Sequence, residues 1–162
     1  MKKYKVGFYG GKFLPLHIGH RYCIEVAAEQ CEMVYVILFI GGVDENEIIE
    51  GGYYCSANER FIRLSKMCAE EFTNVVPVLI DVSQCRNQDG SEDWDAETPL
   101  VIGAIGRFDA VYSSEPSYGD YFRRAYPWAE HVLVDPPRIT YPISATKIRN
   151  MKEELERKRW II

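Results

Sequence analysis

The sequence predicts an α/β protein, a doubly wound and mostly parallel sheet of five to six strands with helices on both faces. Strand-length apolar runs alternate with helix-periodic segments along the whole chain. The N-terminal residues 5–42 alone spell strand, helix, strand, a βαβ unit whose crossover should be right-handed. No internal repeat or low-complexity tract interrupts the pattern.

Lys5 to Tyr9 is a short apolar run ending at Gly10-Gly11, and Met33 to Ile40 a longer one ending at Gly41-Gly42; both read as buried strands. Between them Ile24, Ala27, Ala28 and Cys31 recur at helical spacing. Ser56 followed by Glu59 has the form of a capping box, and Phe61, Leu64, Cys68 and Phe72 run down one face of the helix it opens. Val75 to Asp81 is a further strand. Ser83 to Glu97 is polar, acidic and turn-rich and reads as a long loop carrying one aromatic residue, Trp94. Thr98-Pro99 reads as a cap followed by proline at the first helical position, with the helix ending near Gly106. Ala110 to Tyr112 is strand, Ser117 to Ala125 a weaker helix, and Val132 to Asp135 strand. Ser144 opens a last helix carrying Ile148, Met151 and Leu155.

Composition bounds the function. The 162 residues fit a single domain, 1–162, and 47% hydrophobic with 27% charged residues is the balance of a folded globular chain. No apolar run approaches the roughly 18 to 20 residues of a membrane span, and Met1-Lys2-Lys3 leads into a strand rather than a secretory segment, so a cytoplasmic protein without membrane contact is expected. Five cysteines, odd in number and without C-x-x-C spacing, argue against a disulfide framework and a zinc site. A formal charge of -5 disfavours a nucleic-acid partner. The sequence leaves homo-oligomerisation open.

Two strings carry chemistry, and both follow strands, where ligands bind in such sheets. The first runs from Gly10 to His20 and places two of the chain's three histidines, His17 and His20, where a helix begins. Amides at a helix N-terminus favour an anion, and a phosphate is the natural guest. Gly10, Gly11 and Gly19 let the backbone approach it, and the imidazoles can donate to its oxygens. A Walker A loop is excluded: Lys12 is followed by Phe13 rather than Ser or Thr, and Val6 stands where the first glycine would be. The second string, Ile143 to Arg149, puts hydroxyls at Ser144 and Thr146 and cations at Lys147 and Arg149 in the first turns of a helix. Cations there oppose the helix dipole unless an anion lies between them. Ser144 would cap, Thr146 would bind phosphate oxygens, and Lys147 or Arg149 would neutralise a leaving pyrophosphate.

The first string resembles the G-x-F-x-P-x-H-x-G-H motif of the HxGH nucleotidyltransferase superfamily, and the second resembles the I-S-x-T-x-I-R motif that closes the same site. The resemblance covers nearly the whole chain and implies a Rossmann-like fold in which both histidines contact the phosphates of a nucleoside triphosphate. Val111 to Pro116, Leu133 to Arg138 and Asn58 to Leu64 are similar to the adenylyltransferase domain of bifunctional nicotinamide-nucleotide adenylyltransferase/ribosylnicotinamide kinases. That likeness implies adenylyl transfer from ATP to nicotinamide mononucleotide, giving NAD and pyrophosphate. Lys12, His17, His20, Lys147 and Arg149 would be catalytic. Gly10, Gly11, Phe13, Gly19, Ser113, Ser114, Glu115, Ser144 and Thr146 would bind ATP, and Trp94, Arg60 and Asp135 the mononucleotide. Trp94 would stack on the nicotinamide, a cation-π contact of about 0.5 to 2 kcal/mol. Magnesium would be held mainly by the ATP phosphates, with no protein metal site. The kinase half would need a second domain and a Walker A loop, and these residues supply neither. The rival readings are a phosphopantetheine adenylyltransferase, a cytidylyltransferase, or a non-catalytic nucleotide-binding regulator. The R-T-x-G-I-S-T-T form of cytidylyltransferases is missing, since Ile139 to Pro142 precedes the second motif. Trp160-Ile161-Ile162 would pack on the core or mark a truncation.

Overall fold

Alternation along the strands builds two cores from one sheet. A computed structural model describes residues 1–43, 45 and 55–162. Its strands are β1 (Tyr4–Gly11), β2 (Cys31–Ile40), β3 (Val75–Asp81), β4 (Ala110–Ser113) and β5 (Glu130–Leu133), in the order β3-β2-β1-β4-β5. Every neighbouring pair is parallel. Successive side chains face opposite sides. Tyr9, Val34, Val36, Leu38 and Tyr112 therefore join one apolar cluster, while Phe8, Ile37, Ile80 and Val111 join the other.

The first face is covered by α1 (Ile18–Gln30) through Cys23, Ile24, Ala27 and Ala28, and by α2 (Ala57–Glu71) through Leu64, Met67 and Cys68. The second is covered by α3 (Trp94–Ile105) through Val101 and Ile105, with Phe108, Tyr126 and the side chains of α4 (Gly119–Ala125) closing it. Each fully buried aliphatic side chain of these clusters contributes about 1.5 to 3 kcal/mol. A 3₁₀ turn, Pro116–Tyr118, leads into α4. All five cysteines are free and buried, as expected of residues that simply pack. No helix among the described residues is long and apolar enough to cross a membrane.

Strand β5 lies two residues earlier than the Val132 to Asp135 expected, and two helical elements differ more deeply from the sequence expectation. The helix assigned to Thr98-Pro99 begins a turn earlier: Asp93 caps it by accepting from the Ala96 amide at 3.3 Å, and Asp95 and Glu97 favour its positive end. The Tyr121 hydroxyl donates to the Trp94 carbonyl at 2.9 Å and fixes that first turn against α4. Pro99 thus lies inside the helix, and Trp94 is its first residue rather than a loop side chain. The expected last helix is two short ones, α5 (Ala145–Asn150) and α6 (Glu154–Lys158), because Met151 turns to an extended conformation at φ -70 and ψ 131. Beyond them the chain returns to the first motif, where the Ile18 amide donates to the Trp160 carbonyl and the Ile162 amide to the Leu16 carbonyl.

Candidate active site

The strand order reverses between β1 and β4, so the carboxyl ends of these two strands open a crevice. A pocket of about 410 Å³ occupies it, within the range of small-molecule sites. Gly10 and Gly11 end β1 on its wall, and Lys12, Phe13, His17, Gly19 and His20 follow.

His17 is the N-cap of α1. Its Nδ1 accepts from the Gly19 amide at 3.0 Å, and its own amide donates to His20 Nδ1 at 3.2 Å, so the two imidazoles form a reciprocal capping box. Each ring accepts at Nδ1, which puts the proton of the neutral form on Nε2. The rings stack with centroids 3.7 Å apart, and Phe13 meets His20 edge-on at 4.9 Å. Glycine is required at 19, because a Cβ there would stand 2.8 Å from His17 Cε1. Burial, helped by the charge of Arg138, lowers the His17 pKa to about 4. Burial first, then His17 and Arg138, holds His20 well below its ordinary value. Both rings are neutral donors at pH 7. His17 Nε2 is buried with no hydrogen-bond partner, an arrangement that costs free energy until an acceptor arrives.

The second motif meets the first directly. Arg149 Nη1 donates to the Leu14 carbonyl at 2.7 Å, and Ala145 and Arg149 line the pocket. Ser144 caps α5 as expected, accepting from the Lys147 amide at 3.2 Å. Thr146 accepts from Arg149 Nη2 at 3.2 Å. Ser144, Thr146 and Lys147 are not on the pocket wall, and Thr146 and Lys147 are exposed. The dipole argument for these cations fails, since in a helix of six residues Lys147 and Arg149 belong to the last turn as much as to the first.

After β4, Ser113, Ser114 and Glu115 line the pocket. Ser113 hydrogen-bonds His131 Nε2 at 2.6 Å, Ser114 lies 3.2 Å from the Cys23 thiol, and Glu115 pairs with Arg138 at 2.7 Å. Trp94 lines the pocket, with Nε1 donating to Glu92 at 2.8 Å and edge contacts to Tyr118 and Tyr121. Arg60 and Asp135 are placed elsewhere. Arg60 is 1% exposed, and its guanidinium donates to the carbonyls of Lys12 and Cys55 and pairs with Glu45, so it holds the Lys12 backbone from within. Asp135 accepts from the amides of Ile139 and Thr140 and shapes a turn.

Three charged wall residues escaped the sequence reading, Arg138, Glu92 and Glu97, as did the ring residues Tyr118 and Tyr121. Arg138 ends a string used only as a likeness, and the two glutamates lay in what read as an acidic loop. Among the described residues no group of three or more His, Cys, Asp or Glu side chains could hold a metal ion.

Comparison with known proteins agrees with this geometry. Residues 8–151 match the cytidylyltransferase-like family. The trifunctional NAD biosynthesis/regulator protein NadR of Escherichia coli is 26% identical over 160 residues, 91% of this chain and 37% of that protein. A nicotinamide-nucleotide adenylyltransferase of Halorubrum lacusprofundi is 31% identical over 120 residues, 74% of this chain and 61% of that one. A crystal structure of a NadR protein in complex with NAD and AMP-PNP superposes with a TM-score of 0.67 at 20% identity, over 99% of this chain and 45% of that one. This chain therefore spans about a third to three-fifths of the length of these curated relatives. With a family match over most of its length and both of its motifs meeting in one crevice, the chain belongs to the cytidylyltransferase-like family.

Proposed function

We propose that the 162 residues act as one nucleotidyltransferase domain that transfers the adenylyl group of ATP to nicotinamide mononucleotide. The observation that carries this reading is the imidazole pair at the start of α1: two neutral rings fixed as Nε2–H donors on a pocket wall, one of them without an acceptor. A phosphate supplies that acceptor. The names of the relatives support the choice of mononucleotide, and the cysteines without a pairing pattern fit a cytoplasmic setting.

An oxygen of the mononucleotide phosphate attacks the α-phosphorus of ATP in line; the new P–O bond forms as the bond to the β-phosphate oxygen breaks, and pyrophosphate leaves. Little covalent help is needed, because positioning and charge stabilisation carry most of the rate. His17 and His20 donate to the phosphoryl oxygens, the α1 amides add their dipole, and Lys12 and Arg149 offset the charge developing toward the leaving group. Lys147, exposed on α5 and off the pocket wall, would approach the pyrophosphate only as it departs. Magnesium, bound to the triphosphate, would supply further charge neutralisation. Trp94 would hold the pyridinium ring at the far wall.

The test is pyrophosphate release and dinucleotide formation by the purified protein with ATP and nicotinamide mononucleotide. The Trp94→Ala variant should show a raised KM for the mononucleotide and an unchanged KM for ATP. Turnover with phosphopantetheine or a CTP-dependent substrate, and none with nicotinamide mononucleotide, would reject the reading.

A further inference from the structure

The pocket walls differ in chemistry. Around α1 they offer neutral imidazoles, glycine backbone and Arg149; around the start of α3 they offer carboxyl groups and aromatic rings. Glu97 lies on this second wall, 9% exposed, with Oε1 lacking any hydrogen-bond partner. Glu92 beside it donates nothing and accepts from Trp94 Nε1 at 2.8 Å, while its other oxygen is buried 3.9 Å from Lys12 Nζ. Burial and then the charge of Glu92, with a smaller push from Asp93 and against the pull of Lys12 and Arg86, raise the Glu97 carboxyl to about 7. A buried acid without a partner is costly to ionise unless a ligand brings positive charge or a hydrogen-bond donor.

We propose that Glu97 is the residue that selects a carboxamide over a carboxylate on the pyridine ring of the acceptor. This rests on the reading that the acceptor is a pyridine mononucleotide whose ring lies against Trp94. The pyridinium charge is welcome beside Trp94 and the two acids. What differs between the amide and acid forms is the substituent. The amide N–H donates to the Glu97 carboxylate, whereas a carboxylate there meets two acidic side chains while the Trp94 indole N–H is already given to Glu92. Rejection by an unpaired, desolvated charge is a stronger filter than shape, because the two substituents are nearly equal in size.

The experiment measures kcat/KM for nicotinamide mononucleotide and nicotinic acid mononucleotide at pH 8, in the wild type and in Glu97→Gln. Gln keeps the shape and lets one donor face the substituent. The wild type should favour the amide, and the variant should lower the amide-to-acid ratio roughly 10- to 100-fold, with the KM for ATP unchanged. In the wild type the ratio should also fall from pH 8 to pH 6 as Glu97 takes up a proton, while in the variant it stays flat. A ratio unchanged by the substitution would overturn the role of Glu97 while leaving adenylyl transfer intact. Failure of the wild type to use either mononucleotide would overturn the underlying activity, and the inference with it.

Discussion

Burial disfavours the charged forms of both His17 and Glu97, and the two make stability respond to pH in opposite directions. An unfolded histidine titrates near 6.5 and folded His17 at about 4, so as pH falls below 6.5 the unfolded chain binds a proton that the folded one does not. Stability is lost through that window and levels off below pH 4. Glu97 titrates at about 7 when folded against 4.5 for an ordinary glutamate, so between pH 7 and 4.5 the folded state is the one that binds. Acidification through that window stabilises. The Glu97→Gln variant lacks this gain. Its stability relative to the wild type, read from urea unfolding, should therefore be higher at pH 8 than at pH 5; an equal difference at both would show that Glu97 does not titrate there. In catalysis His20→Ala should lower kcat roughly 100-fold, as loss of one preorganised donor does, while removing one capping partner costs only about 1 kcal/mol of folding. Near-normal turnover by that variant would remove His20 from the phosphate site.

At the scale of elements, α2 reaches across to the first motif through Arg60, whose guanidinium bonds the Lys12 and Cys55 carbonyls and Glu45. Replacing it with methionine leaves two carbonyls and a carboxylate without their donor, and should destabilise the fold by about 3 kcal/mol. A midpoint within error of the wild type, in denaturant unfolding, would mean the clamp is idle. The position of Arg60 was partly legible: it stands four residues before Leu64 and seven before Met67, the spacing of the buried face. Its partners were not, because contacts between a helix and a distant loop leave no period in the sequence. β3 and the Ser56 cap were readable to the residue, since a strand bounded by polar residues and a capping serine are local signals. The start of α3 was not, as Thr98-Pro99 mimics a helix start while the real cap, Asp93, lay among other acidic residues. Periodicity also ran on through Ile148, Met151 and Leu155 although the backbone breaks at Met151, for spacing records faces and not dihedral angles. The two motifs proposed to bind phosphate were legible as strings, yet Glu92, Glu97 and Arg138 became wall residues only once the strands were ordered.

Across the whole molecule, the loop of residues 14–18 is clasped by segments from the far end of the chain: Leu14 by Arg149, Ile18 by Trp160 and Leu16 by Ile162. A ligand gripping both motifs should therefore stabilise the entire fold rather than one edge of it. At 100 times its Kd, ATP adds about 2.7 kcal/mol, and for a chain of this size that raises Tm by roughly 5 to 10 °C. Because Arg149 braces the loop that presents the histidines, its loss should weaken the same grip on nucleotide that is proposed for His20. Residues sharing a partner typically couple by about 0.5 to 3 kcal/mol. A double-mutant cycle over His20→Ala and Arg149→Met, read as the ATP-induced shift in Tm, should therefore show the double variant losing less than the sum of the two single losses. Strictly additive losses would mean that the two motifs hold nucleotide independently, and the tie at Leu14 would then be a brace for folding alone.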